Sequence, residues 1–470
     1  MNKIFNGFTA AAVVVGLCVA GNAFATNGYF THGNGTKNKS MAGAGIALPE
    51  DAIDITNNPA VAPFVGDQLI VGAALFSPVR KYETSSSLAN GMGGAFTIGP
   101  NRLTSDSEYF VIPHIAKSWQ LQNDAAWALS FYGRGGMNTD WQGGTATFDP
   151  DGPGPGGTGT FPGTYGDGIF GGSGKAGVNL SQAFLDVTWA KQVNPKLSLG
   201  ISAVLVAQYF KANGVRTFGP YTRSFAASGA TQQPTSLSNN GTDWSYGAGV
   251  KLGLHSQLSE RVSFGIMYQS KIWMSEFDDY ADLFAEQGDF DIPADLKVGL
   301  SIQANEKVAL SFDIEHMWYS DVAAVGNPIQ GLFACPTAGM GGTALENCLG
   351  GDNGGGFGWD DMTVYKAGLR WKAGEDWTWR FGYSYGKQPI EGGLNPMLSQ
   401  MSFNILAPAT IEQHVTAGFT LERTPGRQFN MAFMYAPNSD VTGVQNFDPT
   451  QTVTFEMYQW EIEASYSWRF

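Results

Sequence analysis

The sequence predicts an all-β fold, a transmembrane antiparallel β-barrel of about fourteen strands. Three observations carry that expectation. First, the closing stretch from Gln451 to Phe470 alternates with the period of a strand. Tyr458, Trp460, Ile462, Ala464, Tyr466, Trp468 and Phe470 share one face; Gln459, Glu461, Glu463, Ser465, Ser467 and Arg469 share the other. Second, charged residues are only 14% of the chain, against roughly 25% in an average soluble protein, while glycine numbers 62 and aromatics reach 13%. Third, mean hydropathy is slightly negative, and past the N-terminus no apolar run approaches the roughly 20 residues of a membrane helix. Strands with an aromatic-tipped lipid face and a polar lumen face explain all three. A soluble, secreted all-β protein is the rival that composition alone leaves standing.

Taken in order, residues 1–25 read as a secretory signal. Lys3 gives the positive start, Ala10 to Ala20 the apolar core, and Ala23-Phe24-Ala25 the small-x-small cleavage site. Cys18 would leave with it, and the mature chain would begin at Thr26. Export places the remaining cysteines, Cys335 and Cys348, in an oxidising compartment, where their spacing suggests a disulfide across one loop. Such a bridge contributes ~3 kcal/mol in the chain-entropy model. Residues 26–66 do not alternate; they are rich in glycine and alanine (Met41-Ala42-Gly43-Ala44-Gly45), then polar. They lack the Gly-Lys-Ser/Thr ending of a phosphate loop.

From Asp67 onward alternation resumes. Candidate strands are 67–82, 106–121, 125–134, 178–193, 196–213, 242–257, 260–274, 291–304, 306–320, 360–373, 376–388, 409–423, 426–439 and 451–470. Short turns at Gln122-Asn123-Asp124, Asn194-Pro195, Ser259, Asn305, Gly374-Glu375 and Thr424-Pro425 alternate with long loops near 83–105, 135–177, 214–241, 275–290, 321–359, 389–408 and 440–450. Short connections on one side and long ones on the other are the barrel pattern, and an even strand number returns both termini to the periplasm. Phase sets facing. Leu296, Val298, Leu300 and Ile302 should meet lipid, as should Val308, Leu310, Phe312 and Ile314, and Trp377, Trp379, Phe381, Tyr383 and Tyr385. Lys297, Ser301, Gln303, Asp313, Glu315, Lys366, Arg370 and Arg380 then point inward. Closure is what lets such a sheet satisfy every backbone group in lipid.

The run TNGYFTHGNGTKNKSMAGAGIALPEDAIDITNNPA, residues 26–60, resembles the N-terminal hatch of the FadL/TodX family of outer-membrane transporters of long-chain fatty acids and aromatic hydrocarbons. Asn58-Pro59-Ala60 falls at that family's hatch motif, with the Gly/Ala run before it. Phe470 resembles the C-terminal signal read by the bacterial barrel-assembly machinery. The resemblance implies an outer-membrane barrel over residues 67–470, with residues 26–66 folded inside as a plug. It implies passive uptake of hydrophobic molecules, long-chain fatty acids first, by binding, plug rearrangement and lateral diffusion into the bilayer. Aromatic or alkane hydrocarbons, and a general porin, are the alternatives. It also implies outer-membrane lipids as surroundings, a monomer, and no cofactor or energy coupling.

Candidate site residues follow. Pro113 interrupts a strand interior and gives no N–H to the ladder, and the next strand ends in Gly133-Arg134-Gly135-Gly136, suited to a bend. Together they suggest a weak seam, which the resemblance reads as a lateral opening. Tyr29 and Phe30 match the family's aromatic start and are expected to contact substrate or to pack the hatch. A carboxylate needs a cation: Lys297, Arg370 and Arg380 are the lumen-facing candidates, unless they pair with Asp313 or Glu315. Trp273, Phe277 and Phe284, in or beside a loop with some helical spacing over 276–287, would line an outer capture groove or simply pack the loop. Catalysis finds little support. The histidines (32, 114, 255, 316, 414) have no ligand spacing, no Gly-x-Ser-x-Gly elbow is present, and the acidic stretch Asp352 to Asp361 lacks EF-hand spacing. The net charge of −14 argues against nucleic acid. No enzyme and no metal are expected.

Overall fold

The computed structural model describes residues 26–151, 157–172 and 174–470; the signal segment and Cys18 lie outside them. Among the described residues, period-two alternation produces fourteen long strands. They are Gln68–Thr84 (β1), Phe110–Gln120 (β2), Ala125–Asn138 (β3), Lys175–Asn194 (β4), Leu197–Asn213 (β5), Asp243–Gln257 (β6) and Val262–Gln269 (β7). Then follow Asp295–Gln303 (β8), Val308–Met317 (β9), Met362–Lys372 (β10), Trp377–Gly386 (β11), Gln413–Thr424 (β12), Arg427–Gln445 (β13) and Asp448–Arg469 (β14). Each pairs antiparallel with its sequence neighbours, and β1 pairs with β14 from Gln68↔Arg469 to Thr84↔Val453, so the sheet closes.

Facing follows the predicted phase. Phe381, Tyr383 and Tyr385 are exposed, as are Leu300, Phe312 and Ile314, while Lys297, Asp313, Glu315, Lys366 and Arg380 are buried in the lumen. Two boundaries differ from expectation. The stretch 440–450 is not a long loop: β13 and β14 run on as a hairpin around Asn446 and Phe447. The Gln445 side chain accepts the N–H of Asp448 at 2.6 Å, closing a tight turn within the stretch expected to be a long loop. The predicted strand 260–274 stops at Gln269, with only Trp273–Met274 returning to the ladder against Gly247 and Ala248.

Residues 26–66 lie inside the barrel and touch strands around its circumference. Thr36 donates to Glu463 of β14 at 2.8 Å. The N–H groups of Gly45 and Ile46 donate to Asp313 of β9 at 2.7 and 2.9 Å. Asn58 donates to the Leu254 carbonyl of β6 at 3.1 Å. Short 3-10 and α turns, among them Ala52–Thr56 and Pro59–Val61, fold the segment. The wall makes room by presenting glycines in register: Gly200↔Gly253, Gly265↔Gly299 and Gly368↔Gly382 are cross-strand pairs. A Cβ on Gly200 would stand 2.4 Å from the Pro59 carbonyl carbon, and one on Gly382 would stand 2.1 Å from that of Met41. The abundance of glycine thus has a local use: it lets the inner segment's backbone approach the wall backbone.

Candidate functional site

The upper lumen is apolar because several loops turn their aromatic residues inward. Phe277, Phe284 and Phe290 come from the β7–β8 connection, Phe210 from the end of β5, Tyr319 from just beyond β9, and Trp359 from just before β10. Successive rings stand within 4.9–6.1 Å: Phe277 to Phe284, Phe284 to Phe290, Phe290 to Tyr29, and Tyr29 to Phe30. Tyr319 and Trp359 flank Tyr29 at 5.3 and 6.0 Å. Their polar ends are satisfied, Tyr319 donating to the Asn27 carbonyl and Trp359 to Asn404. A void beside Phe210, Phe284 and Phe403 measures about 20 Å³, roughly one water, so the cluster is packed shut.

This path ends at an interruption of the wall. β2 pairs with β1 from Phe110↔Phe76 to Ser118↔Gln68. Its pairing with β3 runs only from Gln120↔Ala126 to His114↔Tyr132, ending next to Pro113. Beyond that point β3 keeps β4 on one side, through a register shift between Gly133 and Gly135. On its other side the N-terminal segment replaces β2. Thr31 N–H donates to the Arg134 carbonyl at 2.9 Å, and Gly136 N–H donates to the Tyr29 carbonyl at 3.0 Å. Higher up, Asp106 N–H donates to the Asp140 carbonyl and closes the top of the break. Gly135 has to be small here: a Cβ would meet the Gln182 side chain at 2.0 Å and the Tyr29 ring at 3.3 Å.

Below the rings the lumen is polar, and most of its buried lysines and arginines are paired with carboxylates. Arg134 meets Asp295 at 2.9 Å and lies over the Phe30 ring, 4.4 Å from its centroid. Lys251 meets Asp186 at 2.7 Å, and Lys39 meets Glu461 and Glu463 at 2.9 and 2.8 Å. The three cations singled out for a carboxylate are all engaged. Lys297 pairs with Glu315 at 3.1 Å; Arg380 and Arg370 pair with Glu50 of the inner segment at 2.7 and 3.6 Å. Burial raises the Glu50 carboxyl, but Arg380 and then Arg370 more than reverse this and hold it well below the usual carboxylate range. Asn58 ties the turn at residues 58–60 to the wall: its Oδ1 accepts Ala60 N–H at 3.0 Å while its amide bridges to Ile46 and Leu254.

The structure therefore brings Tyr29, Phe30, Phe277 and Phe284 into one cluster, with Gly133 and Gly135 at its inner end and Pro113 across the break. It does not bring Trp273 there. That ring is 61% exposed on the outer wall, because Trp273 sits in the ladder with outward phase. The span 276–287 is two short turns, Asp278–Tyr280 and Ala285–Gly288, rather than one helix. Cys335 and Cys348 are joined in the β9–β10 loop. Phe290, Tyr319, Trp359 and Glu50 are missed by sequence reasoning, since each acquires its role only through partners far along the chain. Arg134 had a signal: two residues past inward Tyr132, it carries the inward phase.

The model of the outer membrane transport proteins (OMPP1/FadL/TodX) matches residues 160–468. No curated protein matches the chain. Among solved structures, the P. putida toluene transporter TodX aligns over 94% of this chain and 99% of its own, at 18% identity and a TM-score of 0.60. A Pseudomonas aeruginosa FadL homologue aligns over 94% and 100%, at 15% identity and a TM-score of 0.60. The CymD monoaromatic hydrocarbon channel aligns over 94% and 98%, at 17% identity and a TM-score of 0.55. At these identities the likeness is one of fold; the family follows from the sequence match over β4 to β14. The chain is a member of the OMPP1/FadL/TodX family of outer membrane transport proteins.

Proposed function

We propose that this protein passively conducts long-chain fatty acids, taking them up at the outer loops and releasing them sideways into the bilayer through the β2–β3 break. The observation that carries the reading is the break itself: the ladder stops beside Pro113, and the freed edge of β3 is held by the tip of the inner segment at Tyr29 and Thr31. A solute following the rings from Phe277 to Phe30 arrives at that point. Sideways release fits the energetics. Each CH₂ moved from lipid to water costs about 0.8 kcal/mol, so a long acyl chain released into the periplasm would face on the order of 10 kcal/mol. Passage from an apolar lumen into lipid avoids that cost, and needs no nucleotide or ion gradient.

A second reading keeps the path and changes the solute to an aromatic or alkane hydrocarbon. It is favoured by the rings of the upper lumen and by the likeness to TodX and CymD, described as a toluene transporter and a monoaromatic hydrocarbon channel. Uptake of radiolabelled long-chain fatty acid, toluene and hexadecane in a deletion strain, with and without the gene restored, separates the two. Restored fatty-acid uptake supports the first reading and restored hydrocarbon uptake alone the second. Restoration of none would remove both.

A further inference from the structure

We infer that Arg80 is the contact for the head group of a long-chain monocarboxylate at the inner mouth of the break. The inference rests on the reading of that break as an exit.

Among the described residues, every other buried lysine and arginine has a carboxylate within 4.0 Å. Arg80, 1% exposed, has none. Its Nη1 donates to the Ser107 carbonyl at 3.0 Å, and its Nη2 is buried without a hydrogen-bond partner. Glu108 is within electrostatic reach but beyond ion-pair distance. An uncompensated buried guanidinium is costly, and a compact anion is what relieves it.

Its surroundings say what the anion is attached to. Arg80 lies on the inward face of β1, and its guanidinium stands 5.8 Å from the ring centroid of Phe110. Phe110 belongs, with Phe76, Ile112, Met434 and Met457, to an apolar cluster separate from the main one. Ser107 and Phe110 lie in the stretch left unpaired on the β3 side, between His114, where β2 parts from β3, and Asp106, which bonds to Asp140 across the break. A cation at the head of an apolar surface, beside an interruption in the wall, matches one carboxylate on a hydrocarbon chain. Nη2 would donate a charge-assisted hydrogen bond to the carboxylate, and the chain would lie along methionines that adapt readily to an irregular partner. A short acid would satisfy only the cation, and an alkane only the cluster.

The test compares full-length wild type with Arg80→Gln, Arg80→Lys and Glu108→Gln. Cellular uptake is measured for a radiolabelled long-chain fatty acid and for hexadecane, and binding to purified protein in detergent for the same acid and its methyl ester. Arg80→Gln is expected to lower fatty-acid uptake and binding at least about tenfold, as for one charge-assisted hydrogen bond, and to leave hexadecane and the ester unchanged. Arg80→Lys should retain part of the acid preference, and Glu108→Gln should strengthen it. Equal loss for charged and neutral solutes would show that Arg80 only braces the strand through Ser107, and no loss for either would show that it meets no head group. Either result overturns the inference. Should wild type transport neither solute, the exit reading fails by itself, and the acid-over-ester preference in binding still decides for or against Arg80.

Discussion

Glu50 holds the inner segment to the wall. Replacing it with Gln leaves Arg380 buried without its anion, a loss of roughly 3–5 kcal/mol for a broken buried pair. A cysteine placed at buried Ser40 reports the consequence, since Cys335 and Cys348 are already joined. Glu50→Gln should raise the labelling rate of that cysteine more than about a hundredfold; an unchanged rate would show that the pair is not an anchor. The pH dependence has a definite sign. Because the folded pKa of Glu50 is depressed, its contribution is complete above the unfolded value of about 4.3 and is lost as the pH falls through the folded value. Divided by the rate at which the same reagent labels a free thiol at each pH, which removes the fall in thiolate with acid, labelling of the otherwise wild-type Ser40→Cys protein should be flat from pH 8 to pH 5 and rise only in stronger acid.

At the scale of elements, two irregularities meet at the break. Pro113 ends the pairing of β2 with β3, and the shift at Gly133 to Gly135 turns β3 toward the inner segment. Replacing Pro113 and Gly133 together by Ala restores an N–H and stiffens the bend. On the proposed route this slows uptake several-fold while the barrel stays heat-modifiable on gels; uptake at the wild-type rate would exclude the break as exit. Strand facing was legible in sequence, because lipid and lumen impose opposite demands on successive residues: Lys297 and Val298 declare their sides without any knowledge of their partners. A turn was legible beyond Ala436, from Asn446 and Asp448-Pro449; that Ser439 to Val444 pair with Met457 to Thr452 instead of looping was not, since it depends on cross-strand contacts. Trp273 misled for a related reason: a tryptophan near a loop reads alike whether it faces lipid or lumen, and one step of phase decides.

For the whole molecule, the lumen is occupied from the aromatic cluster down to the ion pairs around Glu50, so the intact protein should show little ion conductance in planar bilayers. Gly382→Val offers the contrasting measurement. Its side chain would meet the backbone of Met41 and Ala42 at 2.1–2.4 Å, and backbone cannot step aside as a flexible side chain can. The inner segment should be unseated and large steady currents should appear, with the barrel still closed; wild-type currents in the variant would mean that the glycine row is no seat. The chain's phase and turn lengths disclosed the cylinder, but not how its interior is filled. Those contacts join residues hundreds of positions apart, such as Thr36 with Glu463, and no local pattern announces them.

The edge of β3 above Tyr132 has two claimants, the tip of the inner segment and the continuation of β2, and room for only one. Bare backbone groups facing hydrocarbon cost several kcal/mol each, so the doorway cannot simply gape. If Tyr29 and Thr31 withdraw, Arg134 and Gly136 need water or another strand in their place. Shut and open would then be alternative zippings of the same selvedge, and the latch and the hinge are one row of hydrogen bonds.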